Sequence, residues 1–141
     1  MFLHIYESGC VMTRKQAREE AFILVFEKEF NDSSVQDILD TAAEVRDLVP
    51  DEYINTVFAG VYDNIEKIDS IISDKAVGWS IGRISKTALC ILRLAIFEIF
   101  YMEDIPVSVS INEAVELCKK YATENDASFV NGILSSVVKS I

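Results

Sequence analysis

Apolar residues recur along this chain mostly at the spacing of a helix, and only one short stretch alternates like a strand. Thr13 and Gln16 have the T-x-x-Q spacing of a capping box, in which each side chain satisfies a free backbone N–H. A first helix is therefore predicted from Thr13 to the polar break Asn31-Asp32-Ser33-Ser34. Ser34 with Asp37 caps a second, whose apolar positions are Val35, Ile38, Leu39, Ala42 and Val45. Pro50 and Asp51 mark the next start, and Ile54, Val57, Phe58, Val61, Ile65 and Ile68 then form one continuous helical stripe. A short fourth helix is expected around Ile71 and Ile72.

The segment Ser85 to Met102, SKTALCILRLAIFEIFYM, is apolar almost all round and carries only Arg93 and Glu98 as charges after Lys86. A membrane span needs about 20 apolar residues in a row and tolerates central charges badly, so this pattern predicts a buried core helix. Arg93 then needs a partner, with Glu113 or Glu116 as candidates, because an unpaired buried arginine costs several kcal/mol. Pro106 ends the segment. Val107 to Ile111 alternates, but Ala114, Val115, Cys118 and Tyr121 restore helical spacing, predicting a helix from about Ser110, capped by Ser108 or Ser110, to Tyr121. A last helix starts near Asp126 and repeats Phe129, Val130, Ile133, Leu134, Val137, Val138 and Ile141. The class is all-α.

Length and composition agree with that reading. A chain of 141 residues that is 50% apolar buries a core without disulfides or metal, and 5 glycines and 2 prolines disfavour disorder or a loop-rich β fold. Cys10, Cys90 and Cys118 are odd in number and far apart, with no CxxC pair, so neither a disulfide framework nor a zinc site is indicated and a reducing cytoplasm fits. Met1 to Val11 lacks the basic and long apolar regions of a secretory signal. Residues 1–12 are expected to be a disordered extension or a misassigned start, with a single domain over 13–141.

No enzymatic chemistry is supported. The only histidine is His4 in the leader, no serine or cysteine has an evident base partner, and no phosphate-binding glycine motif occurs. What stands out is charge. The formal net charge is −10, yet Arg14, Lys15 and Arg18 gather at the first helix start, where cations oppose the helix dipole. They share a 100° arc with Phe22 and Val25. The helix would then face the core with its later turns and overhang it with its first, leaving a projecting patch that is either a solvated face or a nucleic-acid contact. Lys119 and Lys120 close a later helix, where cations favour the dipole. With Tyr121, the 122–128 loop that holds Asn125, and Phe129, they offer a second basic and aromatic patch suited to unpaired bases.

Five motifs stand in register: Ala17-Arg18-Glu19, Ile91-Leu92-Arg93, Asp104-Ile105-Pro106, the INEAVEL run from Ile111, and Phe129-Val130-Asn131-Gly132. In their order, spacing and identity the chain resembles the NusB family of bacterial transcription antitermination factors from about Thr13 to its end. The resemblance implies about seven helices in two packed bundles, no enzymatic activity, no cofactor and no metal, in the bacterial cytoplasm. It implies pairing with NusE, a small ribosomal-subunit protein, binding of boxA-like single-stranded RNA in ribosomal RNA transcripts, and membership of an antitermination complex on RNA polymerase.

By the same resemblance the RNA-binding residues are Arg14, Lys15, Arg18, Lys119, Lys120, Tyr121, Asn125 and Phe129, with Phe26 toward NusE. The basic run is sparser than the family's, and Asp126 and Ser128 stand where the family often has a serine and a lysine. Affinity for RNA should therefore depend on the partner. A free homodimer stays open. The alternatives are a NusB-like module serving an enzyme that modifies ribosomal RNA, and a helical adaptor without RNA contact.

Overall fold

The computed structural model describes residues 12–141, and these hold seven α-helices, one short 3-10 turn and no strand. The expected leader, with His4 and Cys10, lies outside the described residues. Met12, assigned to that leader, is buried.

The chain divides into two compact units, the first ending at Tyr62 and the second beginning at Asp63. In the first, α1 (Arg14–Glu29) opens on the expected box: Thr13 Oγ1 accepts from Gln16 N at 3.1 Å and Thr13 N donates to Gln16 Oε1 at 2.8 Å. α2 (Val35–Arg46) is capped by Ser34 and ends on Asp47 in the left-handed region, which lets Leu48 N return to Ala42 O at 3.2 Å in a Schellman-type closure. α3 (Glu52–Asp63) starts where Asp51 Oδ1 accepts from Ile54 N at 2.9 Å. Leu24, Val25, Ile54, Val57, Phe58 and Val61 are fully buried. Tyr62 Oη donates to Val25 O at 2.7 Å, and Arg46 pairs with Glu20 at 2.8 Å.

The single stripe expected from Ile54 to Ile68 is in fact two helices. α3 stops at Asp63, and α4 (Ile65–Lys75) starts after Asn64, whose φ of −118° and ψ of 21° leave the helical basin. Both flanks bury their apolar faces, so the periodicity runs through the break.

In the second unit α4 is followed by a 3-10 turn, Ile81–Arg83, then α5 (Lys86–Tyr101), α6 (Val107–Tyr121) and α7 (Glu124–Lys139). Ser85 caps α5 by accepting from Ala88 N at 3.1 Å. Every residue from Ala88 to Glu98 is buried, as α5 packs against α4, α6 and α7. Its two charges are held in place. Arg93 grips Asp69 of α4 with Nε at 2.8 Å and Nη2 at 2.9 Å, a bidentate partner different from the candidates on α6. Ser110 Oγ donates to Glu98 Oε1 at 2.7 Å, pinning α6 to α5 at a fully dry point.

α6 begins earlier than its pattern predicts. Pro106 is the N-cap, its carbonyl accepting from Val109 N and Ser110 N at 2.9 and 3.2 Å. Proline has no N–H to leave unsatisfied and its fixed φ suits a helix start, so Ser108 and Ser110 fall inside the first turn instead of capping it. α7 also begins earlier, at Glu124, because Thr123 Oγ1 accepts from Asp126 N at 3.0 Å. The expected 122–128 loop is thereby reduced to Ala122 and Thr123.

Candidate nucleic-acid interface

The cations at the start of α1 do not form one projecting patch. Arg14 and Lys15 are exposed, but Arg18 is only 4% exposed. Two guanidinium groups converge on the buried ring of Tyr53 in α3, that of Arg14 at 4.6 Å from its centroid and that of Arg18 at 5.7 Å. The reason is the arc itself: Phe22 and Val25, which share it, are buried, so the face that carries Arg18 packs inward. A guanidinium tolerates this because it is weakly hydrated and stacks on aromatic faces. Arg18 is thus a packed residue, and Lys15 and Arg14 are the cations left at the surface.

Phe26 is half-buried in a run of rings one helical turn apart, 6.0 Å from Phe22 and 5.1 Å from Phe30 by centroid. Phe30, absent from the sequence prediction, is 66% exposed and gives this run its outer end. The four-residue spacing of the three phenylalanines was the signal for it.

The α6–α7 candidates fall into separate groups in the second unit. Lys119 is exposed, 3.6 Å from Glu116, and lines an open groove of about 460 Å³ with Ser108, Asn112, Glu124, Ser128 and Asn131. The ammonium of Lys120 stands 5.5 Å from the ring of Tyr121, which is 39% exposed. Asn125 and Phe129, four residues apart on α7, share one face and line a second cavity of about 280 Å³ together with Trp79, Arg83, Ile84, Ser85 and Asp126.

The NusB family model matches residues 15–139. The chain belongs to the NusB family. It is 44% identical over 131 residues to the transcription antitermination protein NusB of Clostridium acetobutylicum, with 92% of this chain and 97% of that protein covered. Identity to the protein of the same name from Acetivibrio thermocellus is 45% over 130 residues, covering 91% of this chain and 90% of that one. Among solved structures, T. maritima NusB superposes with a TM-score of 0.80 at 34% identity, covering 90% of this chain and 91% of that one. A crystal structure of the antitermination factors NusB and NusE in complex with dsRNA matches with a TM-score of 0.81 at 28% identity, over 91% and 97% of the two chains.

Two residues of this NusB-family chain's second cavity, Trp79 and Arg83, are missing from the sequence prediction. They lie between two strongly periodic helices, where hydrophobic periodicity carries no signal. The signal that was available is composition: Trp79 is the only tryptophan in the chain, and Arg83 follows it by four residues. Beneath α7's first turn, Cys118 of α6 is completely buried. Burial, and after it the Asp126 carboxylate, push its thiol from an ordinary 9.0 up to about 12, so it is an inert packing residue.

Proposed function

We propose that this protein is a non-enzymatic transcription antitermination factor of the bacterial cytoplasm, which pairs with NusE and, as that heterodimer, binds boxA RNA in ribosomal RNA transcripts. The heterodimer then joins the antitermination complex on RNA polymerase. The observation that carries this reading is identity of 44% over 92% of the chain to a protein named for transcription antitermination. The similarity to NusB solved with NusE and dsRNA supports both partners. That relatives are covered over 90% to 97% of their own length leaves no room in them for a catalytic half. The family match over 15–139 supports one functional domain across both structural units.

On this chain the contacts to RNA phosphates come from Lys15, Arg14, Lys119 and Lys120, with Tyr121, Asn125 and Phe129 facing bases and Phe26 facing NusE. Arg18 contributes by holding Tyr53 and the α1 start in place. A net charge of −10 repels RNA at long range, so the partner has to offset it. The deciding experiment is RNA titration with and without NusE. The complex should bind a boxA-like single strand more tightly than a scrambled one, and a double-stranded version should be run beside both. Equal affinity of the complex for boxA-like and scrambled strands would overturn the reading.

A further inference from the structure

Of the cavities in the two units, the one at the start of α7 has the makings of a binding site that the phosphate contacts do not explain. Its rim holds the indole of Trp79, 50% exposed, which meets the ring of Phe129 at 62° with centroids 6.0 Å apart. The Arg83 guanidinium stands 5.6 Å from the indole centroid. Asn125 and Asp126 line the same space. Ser85 Oγ reaches Asp126 Oδ2 only at 3.5 Å, the outer limit of a hydrogen bond, so this carboxylate keeps acceptor capacity.

We propose that this cavity takes one unpaired base of single-stranded RNA, a proposal that rests on the RNA-binding reading above. Three features select that ligand. Two aromatic walls at an angle offer a stacking face to a flat ring, and stacking tolerates any base because every base has a π-face. The polar groups are those that read base edges: an amide that both donates and accepts, a guanidinium that donates, and a carboxylate that accepts from an exocyclic amine. Their charges offset one another, since Asp126 opposes Arg83, which favours a neutral ligand rich in hydrogen bonds over a phosphate. Size agrees, for about 280 Å³ lies just below the range of drug-sized pockets, roughly 300 to 1,000 Å³, and suits a single ring system better than a whole nucleotide chain.

Trp79 is also the reporter, being the chain's only tryptophan. A boxA-like single-stranded RNA is titrated into the complex with NusE while tryptophan emission is followed, with Trp79→Phe giving the NusE background. Saturation should quench the Trp79 emission. Trp79→Ala should weaken RNA binding about tenfold with an unchanged salt slope, because a stacking contact is lost and no phosphate contact is. Replacing RNA residues one at a time with an abasic sugar should reveal one position where both the quench and the cost of Trp79→Ala vanish. Trp79→Phe, which keeps a ring, should bind nearly as wild type, so a misfolded alanine variant does not decide the outcome.

Unchanged emission at saturation, equal affinity of Trp79→Ala and wild type, or a salt slope shallower by about 0.7 would each overturn the base pocket while leaving RNA binding by the complex intact. Quenching by NusE alone with no further change on RNA addition would assign the cavity to a protein side chain and also overturn it. If the wild-type complex binds no RNA, the functional reading itself fails, and the pocket with it.

Discussion

Each of the two candidate RNA-facing regions sets an arginine against an aromatic ring, but in opposite states of exposure. At the start of α1 the ring, Tyr53, is 6% exposed and Arg18 is sealed onto it, with Arg14 lying over it from the surface. At the start of α7 the ring, Trp79, is 50% exposed and the arginine over it, Arg83, is exposed as well. The same pair of residue types is therefore a packing device in one place and an open surface in the other. A buried cation–aromatic contact fixes the helix that carries it, whereas an exposed one leaves a face for a ligand.

The largest effect should come from removing the sealed ring, and the exposed ring is its control. Tyr53→Ala deletes a buried aromatic and should cost about 3 to 5 kcal/mol of stability, measured by urea denaturation, through lost burial and the cavity left behind. Trp79→Ala should stay within about 0.5 kcal/mol of wild type, as surface changes usually do. Similar losses for both would erase the distinction. Next in size is Arg18→Gln, which removes a packed guanidinium from its ring and should destabilise by about 1 to 2 kcal/mol while leaving the salt dependence of RNA binding unchanged. A shallower salt slope with unchanged stability would return Arg18 to the phosphate contacts.

That contrast also shows what a linear sequence carries. The caps at Thr13 and Ser34 were legible because each is local chemistry, a hydroxyl three residues from the N–H it satisfies. The buried α5 was legible because its composition leaves no polar face. The split at Asn64 was hidden, since two helices that both bury an apolar face continue one stripe across a single non-helical residue. The start of α6 was hidden because Val107-Ser108-Val109-Ser110 alternates like a strand, although the first three are exposed and Ser110 is buried on Glu98. The partners of Arg18, Arg93 and Trp79 in the fold were hidden because Tyr53, Asp69 and Phe129 reach them from 24 to 50 residues away in the numbering. Caps are written within one turn, and tertiary partners are not.

A smaller effect belongs to the cations that remain at the surface of α1. Arg14→Gln with Lys15→Gln should leave folding intact and make the salt dependence of RNA binding shallower. Single-strand counterion release contributes a slope of about −0.7 per phosphate contact, so two contacts contribute roughly −1.4. Across a fourfold rise in salt the wild-type pair therefore loses about sevenfold in affinity that the double variant does not. Equal slopes, measured with NusE present, would leave these cations as a solvated face. Loss of NusE pairing in the same variant would make them a protein contact, and phosphate binding would fall to Lys119 and Lys120.

The smallest effect tests whether the exposed ring of the second region stands on a rigid floor. Cys118 lies fully buried on α6, and its thiol is pushed up to about 12, first by burial and second by the Asp126 carboxylate. The sign follows from linkage. The native state holds this proton more tightly than the unfolded chain, so the contribution is fully present below about pH 9 and is lost as pH rises from there toward 12. Near neutral pH both states hold the proton, so stability does not vary with pH through this group, and the thiol should resist alkylation until the chain unfolds. Asp126→Asn removes only the lesser cause, so the onset of alkylation should move to slightly lower pH, while the alkaline loss of stability should still begin near pH 9 but end sooner and be smaller, and Cys118→Ala should lack that part of the alkaline loss altogether. Rapid labelling of native Cys118 at pH 8 would mean that α6 and α7 open together. Trp79 would then be exposed through looseness, and the contrast with the sealed ring of Tyr53 would no longer be one between an open binding face and a packed one.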